Sequence, residues 1–325
     1  MLKGRFMAAT TVHLNMVVPP APWTRAIEDG RVSIPGVSWE CSSDVEHAPS
    51  RFIASEARDV GENGVRRLAI AHLKGAEPVA LPVWFGRELM QRNILVRRDS
   101  GLRHPGDLIG KRVGSHLSVE SGTGGAVLMM LEQAYGVPLT QVHWRMGDPA
   151  SLPLDRMGLS REMGPADDDE AIAWLLRGDI DAVVTTSGAR YWSLFGGDRI
   201  DEMVAAHSEI RPLLDDPEVI GEAYRRTRLY PITDLVVVRP GLAREHPDLP
   251  ARLVEAFSEA NRLSSSYRTA EETQLAEREI ALLGEDPHQY VMGENARHNL
   301  ETWIDFLARL GAIERSFDPA EMFCR

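Results

Sequence analysis

Residues 93–114, which read NILVRRDSGLRHPGDLIGKRVG, contain two apolar stretches of strand type separated by a polar turn. The apolar run at residues 94–96 predicts a strand, and Asp99-Ser100-Gly101 predicts the turn that ends it. A short helical turn follows, which Gly110 can end, and a second strand begins at Arg112. This order predicts that the chain leaves one α/β unit here and enters another.

A second crossing is predicted at residues 231–240, PITDLVVVRP, where a proline stands at each end of a β-branched strand. Strand-like and helix-like stretches alternate along the chain, which is typical of α/β proteins, and the sequence after Pro240 is almost entirely helical. We therefore predict two lobes with two mixed sheets, joined by two hinge strands. The first lobe comprises residues 1–97 and 236–325, the inserted second lobe comprises residues 98–235, and a ligand cleft lies between them.

Individual elements are predicted from apolar periodicity. The predicted strands cover residues 11–18, 79–83, 93–97, 112–114, 142–144, 182–185 and 235–239. The predicted helices cover residues 50–57, 64–74, 124–135, 168–177, 249–267, 270–283 and 295–310. We expect the C-terminal helices to pack on the first lobe.

Composition excludes several functional classes. The 325 residues include 36 Lys and Arg against 48 Asp and Glu, a formal net charge of −12, so no nucleic-acid partner is expected. Two cysteines, Cys41 and Cys324, exclude a disulfide framework. No apolar run approaches the roughly 20 residues that cross a bilayer, and the first residues lack the apolar core of a secretory signal. We expect a cytoplasmic protein without a membrane partner, and a homo-oligomer stays open.

Short blocks along the chain resemble two groups of known proteins. The strand, turn and Leu-x-Gly-Lys-Arg-Val-Gly segment of residues 96–114 resembles the passage into the second lobe of type II periplasmic binding proteins. A larger set of blocks, in order and spacing, resembles the 4,5-dihydroxyphthalate decarboxylase family, whose members are cytoplasmic enzymes with the same fold. These blocks are residues 24–25, 29–32, 59–62, 80–83, 87, 99–101, 110–114, 135–137, 178–182, 224–227 and 230–232.

The resemblance implies a lyase that removes CO₂ from a hydroxylated aromatic carboxylate similar to 4,5-dihydroxyphthalate, in aromatic compound catabolism. It implies no cofactor and no metal ion. Two alternatives stay open, because one fold hosts many activities. One is a non-catalytic solute-binding or sensor protein for a small organic anion, and the other is an enzyme of the same fold with a different small acidic substrate.

Such a reaction requires a proton donor for the ring carbon that loses CO₂ and an acceptor for the phenolic proton. The candidate catalytic residues are Glu62, Asp234 and His13. Glu62 belongs to a matched block and to a predicted turn between glycines, Asp234 stands on the returning hinge where the family has a histidine, and His13 lies on the first strand. A structural role is the alternative for each: a carboxylate at a helix start, a turn cap or arginine partner, and a hydrogen-bonded strand histidine.

The candidate substrate-binding residues carry guanidinium or hydroxyl groups. Arginine binds carboxylates with a planar fork, and the Ser/Thr/Gly cluster at residues 118–125 offers backbone N–H groups and hydroxyls to an anion. Solvent-facing positions for the arginines and a capping role for the serine are the alternatives. The candidates are Arg25, Arg87 and Arg92 from the first lobe, and Ser121, Thr123, Thr186 and Arg190 from the second.

Overall fold

The structure is a computed structural model that describes residues 12–18, 21–42, 58–85, 87, 89–151, 155–186, 199–286 and 288–324. Within these residues the chain forms ten strands in two mixed sheets and ten α-helices. No helix in these ranges is long and apolar enough to cross a membrane. The α/β class and the two mixed sheets predicted from the sequence are confirmed.

The first sheet has three parallel strands and one antiparallel strand. They are β1 (Val12–Val17), β2 (Val37–Ser42), β3 (Val60–Gly64) and β10 (Asp234–Val238). Their order is β10-β3-β1-β2, and β10 runs antiparallel to β3. Leu14 and Met16 of β1 are buried while His13 and Asn15 are exposed, so alternate side chains direct one face of this strand to the core. Helix α1 (Arg25–Glu28) follows β1, and α2 (Val65–Leu73) follows β3 directly.

The second sheet has six strands in the order β7-β6-β5-β8-β4-β9. They are β4 (Ile94–Arg97), β5 (Arg112–Ser115), β6 (His143–Met146), β7 (Arg161–Glu162), β8 (Ala182–Val184) and β9 (Ile210–Pro212). Strand β4 is antiparallel to both of its neighbours, and the other pairs are parallel. The helices of this half are α3 (Gly122–Tyr135), α4 (Asp168–Arg177), α5 (Arg199–Ala206) and α6 (Pro217–Thr227).

Four helices follow β10: α7 (Leu242–Glu245), α8 (Leu249–Arg262), α9 (Ala270–Leu283) and α10 (Glu294–Leu310). Helix α8 packs on α1, but α9 packs on α6, and α10 contacts both α2 and α3. Trp303 of α10 is fully buried and occupies the space beside Gly125 of α3, where a side chain would collide with its ring. The C-terminal helices therefore join elements of both sheets, rather than packing on the four-stranded half alone as predicted.

The chain passes between the sheets at two segments that run antiparallel, with a β-bridge between Arg87 and Ile232. The Arg87 guanidinium carbon lies 5.6 Å from the ring centroid of Trp84 and 5.2 Å from that of Tyr230. Its Nε donates to the Tyr230 carbonyl oxygen at 2.8 Å, and its Nη2 donates to Asn295 Oδ1. Burial lowers the pKa of Arg87 to about 10, so the side chain stays charged at neutral pH. It ties the two crossing segments to each other and to α10.

Asn299 of α10 holds the second crossing segment from the other side. This buried amide accepts from the Tyr230 N–H at 2.6 Å and donates to the carbonyls of Arg228 and Asn295, each at 2.9 Å. Arg228 is the residue after α6 and has a φ of 57°, in the left-handed region. The Asn299 amide therefore satisfies backbone groups at the point where the chain reverses out of α6.

Glu279 of α9 is a buried carboxyl group beside the same segment. The Tyr230 hydroxyl donates to its Oε1 at 2.5 Å, and His288 Nε2 lies 3.4 Å from that hydroxyl. Burial raises the pKa of Glu279 to about 7; the charge of Asp286 adds to the rise, while the bond from Tyr230 and the charge of Arg268 oppose it. Burial also lowers the pKa of His288 to about 3, so this ring is neutral.

Most predicted elements are present, and α4 and α9 have the predicted bounds. The strand predicted at residues 79–83 is reduced to bridges from Ala80 to Val237 and Phe323, because Pro78 and Pro82 have no N–H for a ladder. Residues 60–64, predicted as a turn around Glu62, form a strand. Three strands (β2, β7 and β9) and four helices (α1, α5, α6 and α7) were not predicted. The helix predicted at residues 50–57 lies outside the described residues.

We expect Asn299→Leu to destabilise the protein by about 2–4 kcal/mol, because it removes the side-chain acceptor of the buried Tyr230 N–H and the 2.9 Å donor to the Arg228 carbonyl. His298→Leu, at an exposed position of the same helix, is the control and should cost less than about 1 kcal/mol. Urea unfolding measures both. Equal losses in the two variants would contradict the bracing role of Asn299.

Glu279 makes the stability of the folded chain decrease as pH rises. The folded chain holds the Glu279 proton up to about pH 7, whereas an unfolded glutamate releases it near 4.5, so the free energy of unfolding falls as pH rises between these values. Glu279→Gln removes this loss, which is on the order of 3 kcal/mol. We expect the variant to melt above the wild type at pH 8 and together with it at pH 4.5. Glu277→Gln, exposed on the same helix, should follow the wild type at both pH values.

Candidate active site

Each sheet contains one point, between two neighbouring parallel strands, from which the chain connections lead to opposite sides of the sheet. In the first sheet the order β2-β1-β3 places this point between β1 and β3, and in the second sheet the order β6-β5-β8 places it between β5 and β8. In open α/β sheets, ligands bind outside the carboxyl ends of the strands at such points, because the connections on the two sides diverge and leave a crevice. These two strand ends are therefore where functional side chains are expected.

Two carboxyl groups share one face at the first of these points. In the β3–β10 pair, Asp234 is opposite Gly64 and Glu62 is opposite Val236, so Glu62 and Asp234 are diagonal neighbours about 7–8 Å apart. The Thr233 hydroxyl donates to Asp234 Oδ2 at 2.7 Å. Burial raises the pKa of Asp234, while the bond from Thr233 and the charge of Arg67 oppose the rise. The structure thus brings together two of the three predicted catalytic residues.

The N-terminus of α3, from the six-stranded half, faces this carboxyl pair. A Cβ atom added at Gly122 would lie 3.4 Å from Thr233 Cβ and 3.8 Å from Asp234 Oδ2. Ser121 is the N-cap: its Oγ accepts from the Gly124 N–H at 3.1 Å and donates to the Ser118 carbonyl at 2.8 Å. Thr123 lies half-buried in the first turn. Ser121 therefore caps the helix, and the positive end of a 14-residue helix points towards Asp234.

A cluster around Asp168 occupies the strand ends at the second point. Asp168 begins α4, and its buried carboxylate lies 3.1 Å from His116 Nδ1, 2.7 Å from Thr185 Oγ1 and 2.8 Å from Arg199 Nη2. His116 directly follows β5, and Thr185 directly follows β8. Burial raises the pKa of Asp168, but the contacts with His116 and Thr185 and the charge of Arg199 outweigh it, so the pKa lies below its usual value.

Neither His116 nor Asp168 was predicted from the sequence. The two are 52 positions apart, and an acid that begins a helix is normally a response to the helix dipole. One available signal was the position of His116, two residues after the end of the strand predicted at residues 112–114. Thr186, a predicted binding residue, follows Thr185 and offers its carbonyl to the Thr185 hydroxyl at 3.3 Å. Arg190, the last predicted residue of this half, lies outside the described residues.

The three arginines of the first half lie in different environments. Arg25 is exposed on α1 and pairs with Glu28 at 3.0 Å. Arg87 is buried at the crossing, as described above, and Arg92 is buried with contacts to Asp201 at 2.6 Å and Asp215 at 2.9 Å. Because the two buried guanidinium groups already donate to acceptors of the protein, their observed contacts are structural.

His13 lies away from the carboxyl pair. Its exposed ring contacts Ser38 Oγ at 3.1 Å, and it stands three residues before Met16, which pairs with Val60. Glu62 stands two residues beyond Val60, so His13 and Glu62 are separated by about 16 Å along the strand direction. The structure does not bring His13 to the other predicted catalytic residues.

Two cavities lie among the C-terminal helices instead of at the strand ends. One of about 560 Å³ is bordered by Trp84, Arg87, Arg228 and the start of α10, and one of about 440 Å³ is bordered by α8, α9 and His288. Among the described residues, no three His, Cys, Asp or Glu side chains are grouped to hold a metal ion. A metal-free site stays a prediction.

Comparison with solved structures defines the class of protein. The periplasmic aliphatic sulphonate binding protein SsuA of Escherichia coli is 14% identical with a TM-score of 0.56, and the match covers 96% of this chain and 97% of that protein. The periplasmic sulfonate-binding protein SsuA of Methylobacillus flagellatus KT is 11% identical with a TM-score of 0.60, and covers 97% and 92%. The chain therefore has a periplasmic-binding-protein-like fold, as the sequence predicted.

Comparison with curated proteins identifies the family. The 4,5-dihydroxyphthalate decarboxylase of Comamonas testosteroni is 31% identical over 332 residues, covering 96% of each chain. The 4,5-dihydroxyphthalate decarboxylase of Pseudomonas putida is 26% identical over 230 residues, covering 67% of this chain and 83% of that protein. The chain belongs to the 4,5-dihydroxyphthalate decarboxylase family, and the names of these relatives support an enzyme. No protein-family model matches the chain.

We expect the first turn of α3 to tolerate an added methyl group at Gly122 and not at Gly124. A Cβ at Gly124 would overlap the Ser118 carbonyl oxygen and lie 2.7 Å from Ser121 Oγ, so we expect Gly124→Ala to cost about 2 kcal/mol or more. Gly122→Ala meets Thr233 only at 3.4 Å and gains helix propensity, so stability should change by less than about 1 kcal/mol. Urea unfolding compares the two, and an equally stable Gly124→Ala would show that the loop is not packed as described.

Proposed function

We propose that this protein is a decarboxylase for a hydroxylated aromatic carboxylate of the 4,5-dihydroxyphthalate class. The observation that carries the proposal is the 31% identity to a decarboxylase of this name along 96% of both chains. The substrate would be bound in a cleft between two lobes, residues 1–97 with 236–325 and residues 98–235. The facing positions of the α3 N-terminus and Asp234 support this placement.

The reaction needs three kinds of group around the ring. Direct loss of CO₂ from an aryl carboxylate would leave an unstabilised carbanion, so a hydroxyl para to the reacting carbon must donate electrons while an acid protonates that carbon. The site must also hold a carboxylate and accept the phenolic proton. The conversion consumes one proton and releases CO₂ without oxidation or reduction, so we propose that it proceeds without a redox cofactor and without a metal ion.

The residues at the first strand end match two of these needs. A carboxylate whose pKa is raised by burial, as in Asp234, is a stronger base than a solvated one, and with Glu62 beside it the pair can accept and return the phenolic proton. The α3 N-terminus supplies backbone N–H groups to a substrate carboxylate. Of the three candidate arginines of this half, Arg25 is the exposed one, and breaking its surface pair with Glu28 would let its guanidinium group turn towards the substrate.

This assignment makes the two carboxyl groups necessary for turnover. We expect the wild type to release CO₂ from 4,5-dihydroxyphthalate, and Glu62→Gln and Asp234→Asn each to lower kcat by roughly 10²-fold or more. Glu222→Gln, an exposed carboxylate on α6, is the control and should behave as the wild type. The measurement is CO₂ release, with a thermal-shift titration of the same acid.

Two results would decide against the proposal. Thermal stabilisation of the wild type by the aromatic acid without CO₂ release would favour a solute-binding protein. Turnover that survives both Glu62→Gln and Asp234→Asn would place the proton acceptor elsewhere. The cytoplasmic location predicted from the sequence stays a prediction.

A further inference from the structure

We propose that His116 donates the proton to the ring carbon that loses CO₂, and that Asp168 and Arg199 position it. The inference rests on the proposed function and assigns the third group that the reaction needs. His116 lies at the second strand end, between β5 and β8, to which the proposal for Glu62 and Asp234 assigns no chemical role.

The position of His116 in the fold is the first argument. The residue directly follows β5, and Thr185, which shares Asp168 with it, directly follows β8. Between these two strands the order of the sheet diverges, which is where α/β sheets bind ligands. Five residues after His116, Ser121 caps the helix whose N-terminus faces Asp234. One loop, residues 116–121, thus connects the histidine to the helix end that we propose binds the carboxylate.

The orientation of the ring is the second argument. Asp168 Oδ1 lies 3.1 Å from His116 Nδ1, an ion-pair distance without the alignment of a hydrogen bond, so Nδ1 is beside the carboxylate and Nε2 is the nitrogen left for a substrate. Nδ1 is buried, and the side chain is 26% exposed, so the exposed part belongs to the rest of the ring, which carries Nε2. No described residue makes a hydrogen bond to Nε2.

The support behind the ring is the third argument. Asp168 is itself 4% exposed at its side chain, and Arg199 and Thr185 hold its two oxygens at 2.8 and 2.7 Å. The pKa of Asp168 lies below its usual value, so this carboxylate stays charged at neutral pH. The buried Asp168 carboxylate has three partners from separate elements, which is more support than a surface histidine needs. A carboxylate held beside Nδ1 favours the tautomer with its proton on Nδ1 and sets the direction of the His116 ring.

The proposed step balances in atoms and electrons. The phenolic O–H bond breaks, its proton passes to the Glu62–Asp234 pair, and a ring electron pair forms the new C–H bond with the proton of His116 Nε2. The C–C bond to the carboxylate then breaks, CO₂ leaves, and the electron pair of that bond restores the aromatic ring as a phenoxide. The phenoxide takes back the proton from the carboxyl pair, and His116 regains one proton from water.

The test compares five proteins in the same CO₂ assay: wild type, His116→Ala, His116→Gln, Asp168→Asn and the control His143→Gln, an exposed histidine of β6. We expect both His116 variants to lose roughly 10²- to 10⁴-fold in kcat with KM little changed, and His143→Gln to keep wild-type activity. Millimolar imidazole should restore part of the activity of His116→Ala and none of that of Asp168→Asn. Rescue by a free imidazole distinguishes a proton donor from a residue that only supports the fold.

The outcomes separate the two proposals. If the wild type releases CO₂ and His116→Ala, folded by its melting curve, retains kcat within threefold, the inference is wrong while the decarboxylase assignment stands. If His116→Gln, which can still donate to Asp168, retains activity, His116 is a structural residue. If the wild type shows no turnover, the proposed function is wrong and this inference fails with it.

Discussion

The position of Arg87 between the two sheets is the constraint on which the rest of the structure depends. Its guanidinium group lies against Trp84 and Tyr230, donates to the Tyr230 carbonyl, and reaches Asn295 on α10. These four contacts come from three segments, since the Tyr230 ring and carbonyl belong to one residue, and two of the segments are the crossings between the sheets. A buried cation costs several kcal/mol of desolvation unless its donors are satisfied, so this arrangement persists only while the crossings and α10 stay together. The relative position of the two strand ends therefore depends on this one side chain.

The pKa values of the carboxyl groups at the two strand ends are shifted in opposite directions, because burial dominates at one and pairing at the other. Asp234 is buried with one hydroxyl donor, and its pKa is raised. Asp168 is buried with a histidine, an arginine and a hydroxyl, and its pKa is lowered. The same chemical group thus favours the proton on one side and the negative charge on the other. Environments that separate the pKa values of titratable groups are how a site obtains an acid and a base at one pH, which is the requirement of the proposed reaction.

The sequence analysis selected the carboxyl groups at the first strand end and missed His116 and Asp168 at the second, for a physical reason. Glu62 was selected because it lies in a block that resembles the family, and Asp234 because it stands where the family has a histidine; their pairing follows from the β3–β10 register. His116 and Asp168 are in no such block, and each is ordinary when considered alone. Arg87 and Arg92 were selected for the chemistry of guanidinium, and in the structure protein acceptors bind both. Residue type gives what a side chain can bind, and only the neighbours decide what it does bind.

The amino-acid sequence by itself determined the alternation of strands and helices and the bounds of the long amphipathic helices. Periodicity, proline and glycine act locally, so these features are readable within a window of one element. Tertiary structure alone decided that α10 packs on α2 and α3 together, that residues 79–83 make bridges rather than a strand, and that His116 meets Asp168. Those outcomes depend on contacts between residues tens to hundreds of positions apart, and no local pattern encodes which distant surface will cover a given side chain.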